Sequence, residues 1–108
     1  MASKKNFAIV YMTFPSQKEA EKIGSFLVKN KLVACVNILA PHTSIYSWEG
    51  KINKTKEIAM IAKTLNSNVK KVIRAVQLQH SYDCPAIISW KIKDGSKDFL
   101  NWIEQSLL

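Results

Sequence analysis

Four side chains in this sequence could take part in metal or thiol chemistry: Cys35, His42, His80 and Cys84. Thiolates and neutral imidazoles are the usual ligands of zinc and copper. Neither cysteine has a second one at motif spacing, so no zinc knuckle or redox pair is written locally, and a reducing compartment would keep both as thiols. His42 lies seven residues beyond Cys35, an odd offset that puts the two on opposite faces of an unbroken strand. Pro41 stands between them, and a bend there would weaken that separation. His80 belongs to "HSYDCP", with Tyr82, Asp83 and Cys84 close by and Pro85 biasing Cys84 toward an extended backbone. An imidazole beside a carboxylate or thiolate is a candidate ligand for a borderline metal. A histidine that merely caps the negative end of a helix is the competing reading. Glu57 and Lys63 share a strand face but stand about 20 Å apart by strand rise, so they cannot pair within one extended strand.

Enzyme motifs are missing. There is no glycine-rich phosphate loop, no G-x-S-x-G, no H-E-x-x-H and no C-x-x-C. Arg74 is the only arginine, which argues against multi-arginine phosphate catalysis. The chain reads as a binding protein and not an enzyme. Sixteen Lys and Arg against eight acids give a net charge of +8, enough to attract polyanions at low salt. A basic nucleic-acid-binding module is therefore one alternative, and a solvated high-pI surface is the other.

The elements that must position these residues follow from periodicity. At 108 residues with 47% apolar content, residues 1–108 are expected to form one domain, with 1–5 flexible. No apolar run approaches the roughly 20 residues of a membrane span, and the N-terminal apolar stretch is short for a secretory signal, so a soluble cytoplasmic protein is expected. "FAIVYM" (7–12) reads as a central strand buried on both faces. Ser16 with Glu19 is a capping-box signature, followed by an apolar stripe of Ala20, Ile23, Gly24 and Leu27. Asn30 is the expected left-handed stop.

A second strand runs from about Leu32, bends at Pro41, and resumes through "SIYSW". "EGK" (49–51) supplies a turn. A third strand returns with Ile58, Met60 and Ala62 alternating against Glu57, Ala59, Ile61 and Lys63. A second helix opens near Asn66 and buries Val69, Val72, Ile73 and Val76. "AIISWKIK" is a fourth strand, and Ser96 caps a short terminal helix carrying Phe99, Leu100, Ile103 and Leu107. The order β-α-β-β-α-β plus one helix predicts an α+β, ferredoxin-like sandwich with an extended central hairpin, both long helices on one sheet face and the other face bare.

The two central strands, at about fifteen residues each, would reach roughly 50 Å, well beyond a common strand. A domain this small cannot cover that ribbon. Ile45, Tyr46, Trp48 and Ile52 together with unpaired edges would invite aggregation unless other copies bury them. A homo-oligomer is the expected answer.

"ACVNI", "SIYSWEGK", Glu57, Lys63–Thr64, "HSYDCP" and "FLNWI" resemble, in order and spacing, the CutA family of divalent-cation tolerance proteins. The likeness covers about Phe7 to Trp102. It implies a ferredoxin-like subunit, a homotrimer made by strand pairing between subunits, and a plan similar to the PII signalling proteins. It also implies copper or another divalent metal as ligand, none of it required for folding, with Cys35 matching a cysteine discussed as a copper ligand and His80 a motif residue. A cleft between subunits lined by Trp48, Glu57, Lys63, His80 and Tyr82 is implied as a small-ligand site. The chain departs from the family in three places: Ser81 follows His80 where proline is usual, the net charge is strongly positive, and Met12 stands where some members have cysteine. The reading is a trimeric, metal-responsive binding protein or small-ligand sensor; a structural trimer partnering another protein is the remaining alternative.

Overall fold

The computed structural model of the chain describes residues 6–108; the flexibility expected of residues 1–5 concerns residues outside this range. Strand β1 (Phe7–Phe14) alternates as far as Met12, with Ala8, Val10, Met12 and Phe14 all fully buried and Thr13 of the other face buried as well. It is the inner strand of the sheet: β4 (Lys51–Leu65) runs antiparallel on one side and β5 (Ile87–Ile92) on the other. Strand β2 (Cys35–Ile38) completes the order β2-β4-β1-β5, and β3 (His42–Trp48) pairs with the outer part of β4. This is the ferredoxin-like arrangement.

Helix α1 (Gln17–Lys29) starts where Ser16 Oγ accepts the Glu19 amide at 3.1 Å. Only half of the capping box forms, because the Glu19 carboxylate turns to Ser81 and accepts its backbone N–H at 3.0 Å. The positive-φ stop falls on Lys31 (φ 56) and not on Asn30, whose side-chain amide instead donates to the Phe26 carbonyl at 2.8 Å. Ala20, Ile23 and Leu27 pack with Val72 and Val76 of α2 (Val69–Gln79) over the even-numbered side of β1. A Cβ on Gly24 would meet Met60 Sδ at 2.9 Å and Val36 Cγ2 at 3.1 Å, so the missing side chain is what lets α1 lie this close to the sheet.

The partner of β4 is not one long strand. Ile38 faces Met60 and His42 faces Glu57, so three residues (39–41) oppose two (58 and 59). One extra residue is a bulge, and Pro41, which has no N–H to give to the ladder, sits in it. The bulge restores parity: Cys35, Asn37, His42, Ser44, Tyr46 and Trp48 all lie on the sheet side away from α1 and α2. This corrects the expectation that His42 and Cys35 sit on opposite faces. At the far end, Glu49 (φ 52) and Gly50 (φ 77) make a two-residue turn with both φ positive, the geometry whose twist matches a hairpin. The ribbon carries the molecule to 54 Å in its long dimension against 25 and 23 Å in the others.

The second sheet face is not bare. Helix α3 (Lys97–Ser106), capped by Ser96 Oγ accepting the Phe99 amide, crosses it and buries Ile103 completely. Its Phe99 ring centroid lies 5.7 Å from Lys63 Nζ, and Lys63 projects away from the face that bears Met60 and Ala62.

Candidate functional site

Beyond α3, toward the hairpin, the same sheet face opens into a cleft of about 650 Å³. Its floor comes from Tyr11 and Thr13 of β1 and Glu57 of β4, its far wall from Ser44, Tyr46 and Trp48 of β3, and its near wall from residues 81–84. Tyr11 and Thr13, and likewise Ser44, Tyr46 and Trp48, stand two apart, because alternate side chains leave a pleated sheet on the same side; Ile45 lines the cleft as well. Tyr82 closes the floor. Its hydroxyl donates to Glu57 Oε2 at 3.0 Å, and Glu57 is only 8% exposed. Burial first, then this hydrogen bond and the negative charge beside it, push the Tyr82 hydroxyl up to about 12, so it stays a donor across the physiological range.

His80 holds that wall in place from behind. Its ring is buried and stacks on Phe14 at 4.8 Å between centroids. The Tyr82 backbone N–H can only donate, so Nδ1, 3.0 Å away, accepts from it. The Thr13 carbonyl can only accept, so Nε2, 2.7 Å away, carries the proton. These two partners fix the neutral Nε2–H tautomer. In this geometry both ring nitrogens are engaged, Nδ1 by the Tyr82 amide and Nε2 by the Thr13 carbonyl. The Glu19 carboxylate ties the same corner to α1 by accepting the Ser81 N–H.

Of the residues expected at the cleft, Trp48, Glu57 and Tyr82 are brought together. His80 stands behind Tyr82, with ring centroids 4.9 Å apart. Lys63 is elsewhere: it faces Cys35 across the β2–β4 ladder, donates to Asn37 Oδ1 and lies under α3. Cys35 and His80 do not meet. Cys35 is level with Ile9 of β1 through Lys63, whereas His80 bonds Thr13, about 13 Å farther along that strand. Met12 is sealed in the core. Among the described residues no group of three or more His, Cys, Asp and Glu converges as a metal centre. The donor set of one described chain does not fit a resident copper ion, and within that chain Cys35 and His80 are not brought together.

Tyr11, Thr13, Ser44, Tyr46, Asp83 and Cys84 also line the cleft without having been singled out as a group. Tyr11 and Thr13 were readable as the off-core parity of β1. Tyr46 became readable only with the bulge, which sets its phase.

The fold and site define a class: a ferredoxin-like subunit with a cleft of small-ligand size on its sheet face. The family model of the CutA1 divalent ion tolerance protein matches residues 8–106, and the chain belongs to that family. The divalent-cation tolerance protein CutA of Archaeoglobus fulgidus is 44% identical over 98 residues, covering 91% of this chain and 95% of that one. The chloroplastic CutA protein of Arabidopsis thaliana is 37% identical, and the match spans about half of its length, 54%. The crystal structure of CutA1 from Ehrlichia chaffeensis superposes with a TM-score of 0.93 at 37% identity, covering 98% of this chain and 99% of that one. A structure described as the periplasmic CutA of Archaeoglobus fulgidus gives 0.92 at 42% identity over 94% of this chain and 99% of that one.

Proposed function

We propose that the chain acts as a homotrimeric binding protein in divalent-cation tolerance, with the cleft beside Glu57 and Tyr82 as a small-ligand sensor site and no catalytic step. The observation that carries this reading is the projecting ribbon. Ile45 is 63% exposed, Ile52 73% and Trp48 52%, far more than a lone chain of this size leaves uncovered at one place. The sheet also ends in two unlike edges, β5 on one side and β2 with β3 on the other. Pairing of unlike edges is heterologous, and such contacts make a ring when the rotation between copies closes. Three copies joined β3 to β5 would place the ribbon of each over its neighbour and wall the cleft from a second chain.

No helix among the described residues is long and apolar enough to cross a membrane. Compartment names among the relatives differ, chloroplastic for one and periplasmic for another; for this chain we retain the cytoplasm, with its reduced cysteines. Native mass spectrometry tests the assembly. The expected species is three 12.2 kDa chains, and a single chain at micromolar concentration overturns the reading. Copper titration into the assembled protein tests the metal connection separately. Loss of binding in Cys35→Ser would place the metal at the β2 thiol, contributed to by neighbouring copies, and unchanged binding would remove that thiol.

A further inference from the structure

The cleft has a character opposite to that of the rest of the molecule. The chain carries sixteen Lys and Arg against eight acids. Yet among the described residues no lysine or arginine lines the cleft, while two carboxylates, Glu57 and Asp83, do. Around them stand the rings of Tyr11, Tyr46, Trp48 and Tyr82.

Glu57 is the telling residue. It is more than nine-tenths buried, and among the described residues its carboxylate is given one polar partner, the neutral Tyr82 hydroxyl. An ionised carboxylate offers about four acceptor positions, and a buried charge is normally matched by an opposite one. Here no cation of the same chain supplies the match, although basic residues are plentiful nearby: Lys54 and Lys56 alternate with Thr55 and Glu57 on β4 and so project from the opposite side of the ribbon. Aromatic faces carry negative potential and attract cations within about 6 Å of the ring centre. Rings and carboxylates converging on one cavity therefore recognise the same thing twice.

We propose that the cleft binds a small organic cation, an ammonium group attached to an apolar or aromatic body, with the ammonium against Glu57 and the body among Tyr46, Trp48 and Tyr82. The class rests on the ligand-site reading above and narrows it. A free divalent ion is disfavoured because, among the described residues, no three carboxylates, thiols or imidazoles converge there, and a hard cation is held by several charged oxygens. The volume of about 650 Å³ lies within the range of small-molecule pockets and admits a body of one or two rings.

The test is calorimetry on the full-length protein in its native assembly with three probes of similar shape: phenethylammonium, phenethyl alcohol and phenylacetate. The ammonium should bind with a Kd of about 1 mM or tighter, the alcohol about tenfold more weakly, and the anion not measurably. Glu57→Gln, which keeps shape and removes charge, should weaken the ammonium about tenfold and leave the alcohol unchanged. Location is read from Cys84, an exposed thiol in the cleft wall: the ammonium should slow its alkylation and not that of Cys35, followed by peptide mass. Equal binding of ammonium and alcohol, undiminished binding in Glu57→Gln, or no protection of Cys84 each overturns the proposal. A protein that binds none of the probes while Glu57→Gln breaks its assembly also overturns it, by showing that a neighbouring chain provides the positive partner. The native mass is scored independently, so a trimer that rejects ammonium refutes the ligand class alone, and a monomer that binds it refutes the assembly alone.

Discussion

The two halves of β4 share one backbone ladder but almost nothing else. From Ile58 to Leu65 the strand lies between β1 and β2, and Ile58, Met60, Ala62 and Thr64 are sealed beneath α1 and α2. From Lys51 to Lys56 it has one neighbour, β3, and no helix over it. Hydrogen bonding is equally regular in both, so it is not what separates them. Burial is: each apolar side chain removed from water contributes about 1.5–3 kcal/mol at the root and little at the tip. A strand thus crosses from a self-sufficient region into one that depends on an external surface, and Glu57 sits on the crossing.

That contrast can be broken most strongly at the root. Met60→Ala removes a fully buried side chain under α1 and should lower the unfolding free energy by about 2–5 kcal/mol in denaturant titration. A loss below about 1 kcal/mol would show that Gly24 lets α1 settle into the vacated space. His80→Ala tests the corner joining root to cleft. It deletes the partners of the Thr13 carbonyl and the Tyr82 amide together with the stack on Phe14, and should cost about 2–3 kcal/mol. Hydrogen exchange of the Tyr82 amide should quicken alongside.

Ser16→Ala removes one cap from α1 and should cost about 1 kcal/mol, well below either core change. Ile52→Lys, at the tip, should leave the circular dichroism spectrum of the chain unchanged while reducing the native mass to that of a single chain. A trimer that survives this substitution would mean that the tip is not the surface being shared. The smallest effect is expected at the cleft floor and at high pH. The folded protein favours the protonated Tyr82, raised from 10.0 to about 12, so its contribution is complete below pH 10 and fades as the pH rises from 10 to 12. Tyr82→Phe should flatten that part of the alkaline stability profile and remove the latest tyrosinate absorbance from the titration.

Most of the root was legible in the sequence because its signals are local. The apolar run of β1, the apolar stripes of α1 and α2 and the caps at Ser16 and Ser96 are each written within a few neighbouring residues, although β1, expected to be buried on both faces, leaves Ile9 and Tyr11 half-buried on one. What could not be read depends on a partner distant in the chain. Glu19 looks like the second half of a capping box, and only the return of residue 81 shows why it bonds elsewhere. The stripe of α3 announces a helix with one buried face, but nothing in it says that Lys63 and β4 lie underneath. Lys63 and Glu57 share a face and so resemble members of one site; the pairing of Lys63 with Cys35 places it at the other end of the sheet. His80 carried the clearest metal-like signal, and nothing in its local sequence announces the two backbone partners, at 13 and 82, that hold its ring.

The extra residue at 39–41 has a consequence for any attempt to rebuild this protein. Were the ladder to run on from Ile38 without bulging there, His42 would face Lys56 instead of Glu57 and every side chain of β3 would turn over: Thr43, Ile45 and Ser47 would take the cavity side, and His42, Tyr46 and Trp48 the side behind it. How the bend absorbs one extra residue thus decides whether the cavity has an indole in it at all, although that residue supplies none of the atoms a guest would touch.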